Sequence, residues 1–354
     1  MRKDSYIVKP VRTAIAGCGG VTRDVLEVIA DYPELDIVAV QDINPEAASA
    51  IADKFGIPDR FTDFKELLEA DTELVIINTP NYLHHPQALL AIHAGKHCLV
   101  QKPISTNSAL AREMIQAARK AGKLLGVVME ELGYVVYRGM KDMIKAGCIG
   151  DVVQVQSIVA HSAYLRNPPP KGNWRTLPES IGGGSFIQLA IHHINLAQWM
   201  LDDTIVEVSA KGVSIFNKET FPEDETTIAW ARFNRSTLGS FTSSFALDAD
   251  VFFIHGTEGY IGHHGNMFFW RINQPYEDEA WSCDKADEPG HITLDRFNHR
   301  TTRIKPEYEQ HRRFALAIRG QAEFEVPGEI GLRDLLIIEA IHESSKGGAA
   351  VKIE

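Results

Sequence analysis

Along the first third of the chain, short apolar runs alternate with amphipathic stretches, and few architectures accommodate that rhythm. "VRTAIAG" is an apolar run ending in glycine, and "TRDVLEVIADY" follows it with helical spacing. "DIVAVQD" comes next, then "PEAASAIADKFG", which Pro45 opens as a helix. "LVIINTP" and "HCLVQKP" are two further runs of the buried type, separated by "HPQALLAIHAGK". "SALAREMIQAARKAGK" and "LLGVVME" continue the pattern. Strands that read as continuous apolar runs are covered on both faces, and a helix after each one supplies the crossover. The expectation is an α/β domain over residues 1–129, built on a parallel sheet covered by helices.

Near Glu130 the rhythm changes. The helical stretch "YRGMKDMIKAG" leads into "DVVQVQSIVAHS", and later "VEVSAKGVSIF", "TTIAWARF" and "LGSFTSSFAL" follow without helices between them. Residues 130–354 therefore read as an α+β domain with a large, mostly antiparallel sheet. "RNPPPKGNWRTLPES" reads as a loop, since prolines cannot sit in a central strand. "QHRRFALAIRG" and "GLRDLLIIEAIHESSKGG" read as C-terminal helices that are free to pack back on the first domain. Strands rich in Val, Phe and Trp make a poor solvent surface, which predicts a homodimer or homotetramer.

Charge and cysteine usage exclude several partners. The net charge of −11, with no basic run, argues against nucleic acid or an acidic membrane surface. Cys18, Cys98, Cys148 and Cys283 are scattered without metal-ligand spacing and read as reduced thiols. "MRKDSYIVKP" lacks the apolar core of a signal peptide, and no apolar run approaches membrane-spanning length. A cytoplasmic protein with no membrane partner is expected.

Three strand ends carry polar motifs. In "GCGGVT", Gly17 and Gly19 match the opening of G-x-G-x-x-G, so Gly17, Gly19, Gly20, Val21 and Thr22 form a turn and helix start suited to a pyrophosphate. Thr22 replaces the third small residue, which is expected to loosen helix–strand packing slightly. Asp42 ends the next strand, where a carboxylate bonds the adenosine ribose diol and repels a 2′-phosphate; this favours NAD over NADP. The bland alternative is a generic strand–turn–helix with a surface aspartate. The other two ends bring Thr79, Pro80, Asn81 and His84, and then Gln101, Lys102 and Pro103, to the edge where open α/β sheets bind ligands. Lys102 precedes a proline, so its backbone is extended and its amine can be aimed; alternatively it is an ordinary surface lysine.

"GGGSFIQLAIHHINLAQWM" adds a polar line to an otherwise apolar helix. Gln188, His192 and Asn195 stand four and three residues apart, on one helical face. Buried polar groups must be hydrogen-bonded, and the partner is either protein or ligand. His193 points about 100° away from His192 and reads as structural. Trp174 and Arg175 either cover a substrate, with an indole face against a sugar ring, or pack their loop on the sheet. His255, His263 and His264 lie on strands and turns without Cys or Asp partners, so no metal site is expected.

Together these segments resemble the Gfo/Idh/MocA family of oxidoreductases, the glucose–fructose oxidoreductase and inositol dehydrogenase group. The resemblance rests on "AGCGGVTRD", "NTPNYLHHPQALLAIHAGKHCLVQKP", "GCIGDVVQVQS", "GGGSFIQLAIHHINLAQWML", "GTEGYIG" and "ALAIRG…IIEAIHESSKGG". It implies a Rossmann domain binding NAD, and a hydride exchanged between nicotinamide and a ring hydroxyl of a sugar, inositol or sugar acid. It also implies that Lys102 and His192 act on the carbinol, His192 as base and Lys102 polarising the oxygen. Gln101, Gln188 and Asn195 depart from the carboxylates usual in the family, and Glu130 and Glu131 stand where relatives carry arginine. An amide cannot stabilise an imidazolium as a carboxylate would, so His192 is expected to be a weaker base, with Lys102 as the alternative. Glu130, Gln188 and Asn195 would suit a polyhydroxylated ligand. Two rival functions stand beside this one: a glycoside hydrolase or lyase that oxidises the sugar transiently, and a non-catalytic NAD-binding sensor.

Overall fold

A computed structural model of the chain describes residues 9–167, 170, 172–216, 218–219, 221, 224–277, 282–283, 290–293 and 309–353. The extreme N-terminus and Pro168, Pro169 and Lys171 of the proline-rich loop lie outside the described residues. The chain divides into two compact units: the described parts of Met1–Glu130 and Glu307–Leu332 form the first, those of Glu131–Pro306 and Arg333–Glu354 the second. The first of the two C-terminal helices thus belongs with the opening domain.

In the first unit, β1 (Val11–Ala16), α1 (Gly20–Ile29), β2 (Leu35–Gln41), α2 (Pro45–Phe55), β3 (Asp59–Phe61), α3 (Phe64–Glu69) and β4 (Leu74–Ile77) alternate. They are followed by α4 (Asn81–His93), β5 (His97–Gln101), α5 (Ser108–Ala121) and β6 (Leu125–Val128). The strands pair in parallel in the order β3-β2-β1-β4-β5-β6. All four side chains of β4 are fully buried, as the unbroken apolar run requires. Local signals set the helix ends: Asn44 caps α2 through its side chain, and Gly56 closes it at φ +68°. Asn107 and Gly122 do the same for α5. Gly126 on β6 has no room for a Cβ, because the rings of Phe314 and Phe324 lie against it. The strand order reverses between β1 and β4, where such sheets open a crevice beyond their C-terminal ends.

The second unit runs through α6 (Val135–Lys145), β7 (Val152–Ala160), α7 (Ala163–Arg166) and α8 (Pro178–Ile181) to α9 (Ile191–Leu201). There follow β8 (Ile205–Val213), β9 (Thr226–Phe233), β10 (Leu238–Ser244), β11 (Ala249–Gly256), β12 (Tyr260–His264) and β13 (Met267–Arg271). The remaining strands are β14 (Tyr276–Glu277), β15 (Ser282–Cys283), β16 (Gly290–Thr293) and β17 (Val351–Lys352). A nine-stranded sheet forms in the order β16-β13-β12-β11-β7-β10-β9-β8-β17. Among the described residues only β7 and β10 pair in parallel within it. Strand β9 shows the alternation expected of a half-covered sheet: Thr227, Ala229, Ala231 and Phe233 are buried, while Ile228 and Trp230 are exposed.

One expectation fails here. Phe186–Ala190 is a π-helical turn, and regular α-helix starts only at Ile191. The wider i→i+5 bonding breaks the α-period between Gln188 and His192, so the polar residues do not form one line.

Candidate active site

The glycine turn after β1 is shaped by close approach. Gly17 has φ +88°, and a Cβ there would lie 2.8 Å from the Asn78 carbonyl oxygen and 3.1 Å from Thr79 N. Only glycine meets both demands. At Gly19 a Cβ would meet nothing within 4 Å, which leaves open space above the turn. Gly19 caps α1 without a side-chain hydrogen bond, and the first turn carries no acidic residue. Unsatisfied N–H groups, the positive end of the helix dipole and open space together fit a dinucleotide pyrophosphate. Gly20 and Val21 are exposed at this helix start. Thr22 is fully buried; its hydroxyl donates to the Gly17 carbonyl and accepts from Asn78 Nδ2 at 3.0 Å. Rather than loosening the packing, Thr22 ties the turn to the end of β4.

Asp42 follows β2 with both carboxylate oxygens fixed. Oδ2 accepts from Cys18 N at 2.8 Å and Oδ1 from Asn44 N at 2.9 Å. The carboxylate is thereby held beside the glycine turn. Burial and the neighbouring Asp42 charge push the Cys18 thiol up to about 12, so this cysteine is no nucleophile. Cys18, Cys98 and Cys148 are all buried.

His84 joins the ends of β4 and β5. It is fully buried, with Nδ1 2.8 Å from the Pro103 carbonyl oxygen and Nε2 2.8 Å from that of Thr79. Burial lowers its pKa, so one nitrogen donates and the other carbonyl is faced without a proton. His84 is a strut between the two motifs, with a backbone carbonyl against each ring nitrogen. Thr79 Oγ1 donates to Gln87 Oε1 at 2.6 Å, and Pro80 stands at the N-cap of α4 just before Asn81, which is itself buried. Gln101 Oε1 accepts from Lys102 N at 2.8 Å, and Gln101 Nε2 reaches Glu130 Oε1 at 3.4 Å. Gln101 therefore secures the backbone of Lys102, whose peptide bond to Pro103 is cis.

In the second unit, His192 Nδ1 lies 2.7 Å from Glu131 Oε1, with both side chains under one-fifth exposed. The approach is that of an ion pair; the ring N–H is not aligned for a hydrogen bond. The expected lack of a carboxylate partner for His192 is therefore corrected: Gln188 does not supply one, but Glu131 does. Gln188 instead accepts from the Tyr164 hydroxyl at 3.3 Å. Tyr164 belongs to a hydrophobic cluster with Ile181, Phe221 and Phe245, against which Trp174 and Leu189 pack. The Trp174 indole packs on this cluster, and the exposed Arg175 guanidinium stacks on the indole ring at 4.4 Å.

Asn195, expected to contact a ligand, is buried and donates to Asp334 Oδ2 at 2.8 Å, while Gln198 Nε2 donates to Asp334 Oδ1 at 3.1 Å. Asp334 is fully buried, and burial pushes its carboxyl up to about 8. Asn195 thus satisfies a buried acid, and its side-chain N–H is committed there rather than to open space. Neither Glu131 nor Asp334 was singled out from the sequence as a partner for these residues. Three further residues stand together unexpectedly. His263, set aside for want of an Asp partner, has His193 and Asp250 beside it; donor atoms of all three lie within 4.8 Å of one another. Burial drives the His193 imidazole down to about 3, with the His263 ring adding to the effect.

Comparison with known proteins bears directly on these features. The chain is 29% identical to the 1,5-anhydro-D-fructose reductase of Ensifer adhaerens over 322 residues, covering 90% of this chain and 91% of that one. It is 24% identical to the D-glucoside 3-dehydrogenase of Escherichia coli (strain K12) over 366 residues, covering 99% and 100%. The crystal structure of the WlbA dehydrogenase from Bordetella pertussis, in complex with NADH and UDP-GlcNAcA, superposes with a TM-score of 0.84 at 22% identity, covering 98% of each chain. The family model "Oxidoreductase family, NAD-binding Rossmann fold" matches residues 11–129, and the "GFO/IDH/MocA C-terminal domain" model matches residues 137–262. With both characteristic domains matched in order, the chain belongs to the Gfo/Idh/MocA family of NAD-binding, Rossmann-fold oxidoreductases.

Proposed function

We propose that the chain is an NAD-dependent dehydrogenase acting on a ring hydroxyl, or the corresponding ketone, of a sugar, inositol or sugar acid. The observation that carries this reading is the Glu131–His192 pair, 2.7 Å apart. A carboxylate beside one ring nitrogen orients the imidazole and leaves Nε2 as the nitrogen available to a substrate. Oxidation of a secondary alcohol needs that arrangement: His192 takes the hydroxyl proton as the carbon gives up its hydride. Bound NAD supplies the hydride acceptor. Lys102 polarises the carbinol oxygen with its ammonium and stabilises negative charge developing there. Gln101 holds the Lys102 backbone. Gln188, Trp174 and Arg175 hold the ring through hydroxyl, stacking and charge contacts, and Glu130 lies beside Gln101 where it can accept from a hydroxyl. Relatives named as a sugar reductase and a glucoside dehydrogenase support this substrate class.

A panel of sugars, cyclitols and sugar acids, screened for NADH absorbance, tests the reading. One or more should give net NADH with turnover. A glycoside cleaved without NADH accumulating would instead make the chain a hydrolase or lyase with transient oxidation, and binding of sugars with no turnover of any would make it a sensor.

The same reading includes assembly as a homodimer or homotetramer through the open face of the second sheet, where Val153, Ile228, Trp230 and Leu238 are exposed. Sedimentation equilibrium at micromolar concentration should return a multiple of the chain mass; the mass of a single chain there would refute the assembly.

A further inference from the structure

We propose that His193, Asp250 and His263 form a binding site for a divalent transition-metal ion of the zinc class. His193 Nε2 lies 3.7 Å from Asp250 Oδ1, and His263 Nδ1 lies 3.9 Å from Asp250 Oδ2. Two imidazole nitrogens and a carboxylate oxygen are the borderline-soft donor set that zinc takes, with water completing the shell. Metal–ligand bonds of about 2.0–2.2 Å require the donors to close by on the order of 1 Å, which side-chain rotation supplies.

The second ring nitrogens carry the argument further. His193 Nδ1 is 2.8 Å from Ser157 Oγ, and His263 Nε2 is 2.9 Å from the Tyr137 hydroxyl. Each hydroxyl can accept a hydrogen bond from its ring, and the tautomer so formed presents the other nitrogen to a metal. Outer hydrogen bonds of this kind are the rule for ligating histidines. His263 is fully buried, and its Nδ1 faces Asp250 at 3.9 Å, with the Gly265 backbone also close to the ring. Asp250 is about half exposed, its side chain at 55%, and offers the ion a way in.

The three donors come from α9, β11 and β12, so a bound ion would pin α9 to the sheet. His192 is the residue next to His193 on that helix. The ion's role is therefore to position, and it makes no contact with the reacting atoms.

Untagged protein, stripped with chelator, is titrated with Zn²⁺ by calorimetry and with Co²⁺ by visible absorption. The expected result is one saturable equivalent per chain, with Co²⁺ giving a ligand-field band that Zn²⁺ abolishes. Asp250→Ala and His263→Gln should each weaken binding by at least about tenfold, since loss of even an outer-shell partner costs that much. His264→Ala, one residue along β12, should bind as the wild type does. Asp250 is exposed, so its variant reports even if His263→Gln fails to fold. Absence of a saturable equivalent, or wild-type affinity in Asp250→Ala, would overturn the proposal.

Discussion

His192→Ala is expected to lower turnover of an identified substrate by about 10²- to 10⁴-fold while leaving NAD affinity unchanged. The range is that of a general base whose removal leaves binding and orientation in place. Lys102→Ala should fall in the same range, because loss of an electrostatic donor to a developing oxyanion costs about 10²- to 10³-fold. Glu131→Gln tests the pair seen beside His192. It keeps the shape and an acceptor for the imidazole but removes the charge that stabilises the imidazolium, so kcat should drop with KM little changed. Glu131→Asp should recover part of the loss, which a purely structural role for Glu131 would not predict. Stopped-flow NADH absorbance with calorimetric NAD titration separates the terms. If His192→Ala turns over like the wild type while Lys102→Ala does not, lysine is the base. If neither variant changes turnover, the assignment of both residues falls.

The contrast between Glu131 and Gln188 shows where sequence pattern loses its grip. The Rossmann half was legible because its signals are local: an apolar run, a glycine at φ +88° and a helix following at once. The same holds for Asp42, which lies at the end of the strand that the glycine turn faces. The polar line on the helix was read with the α-period, and the π turn at Phe186–Ala190 removed that premise. Its three members then found three different partners: Tyr164, Glu131 and Asp334. Two of these pairings span long separations, 139 residues in the case of Asn195 and Asp334. No local pattern encodes which carboxylate a buried amide meets. Glu131 was visible as one of two adjacent acids, but the turn Glu130–Gly133 sends the two in different directions, Glu130 to Gln101 and Glu131 to His192. His263 was set aside for lacking an aspartate nearby in sequence; Asp250 reaches it because β11 and β12 pair side by side.

NAD should bind the wild-type protein on the order of 10²-fold more tightly than NADP, and Asp42→Ala should remove most of that difference. A like charge set against a phosphate in a partly buried site costs several kcal/mol, and each 1.4 kcal/mol is a factor of about ten. Asp42 cannot swing aside cheaply, because its two oxygens are already committed to Cys18 N and Asn44 N. Those same bonds mean that Asp42→Ala also loosens the turn, so some NAD affinity should be lost along with the discrimination. Asp42→Asn separates the two effects. It keeps an acceptor for a backbone N–H without the charge, and should therefore bind NAD better than the alanine variant while still admitting NADP. Calorimetric titration of both cofactors into the three proteins reads all four comparisons. Comparable NAD and NADP affinities in the wild type would show that the carboxylate serves the turn alone, and that the 2′-phosphate finds room elsewhere.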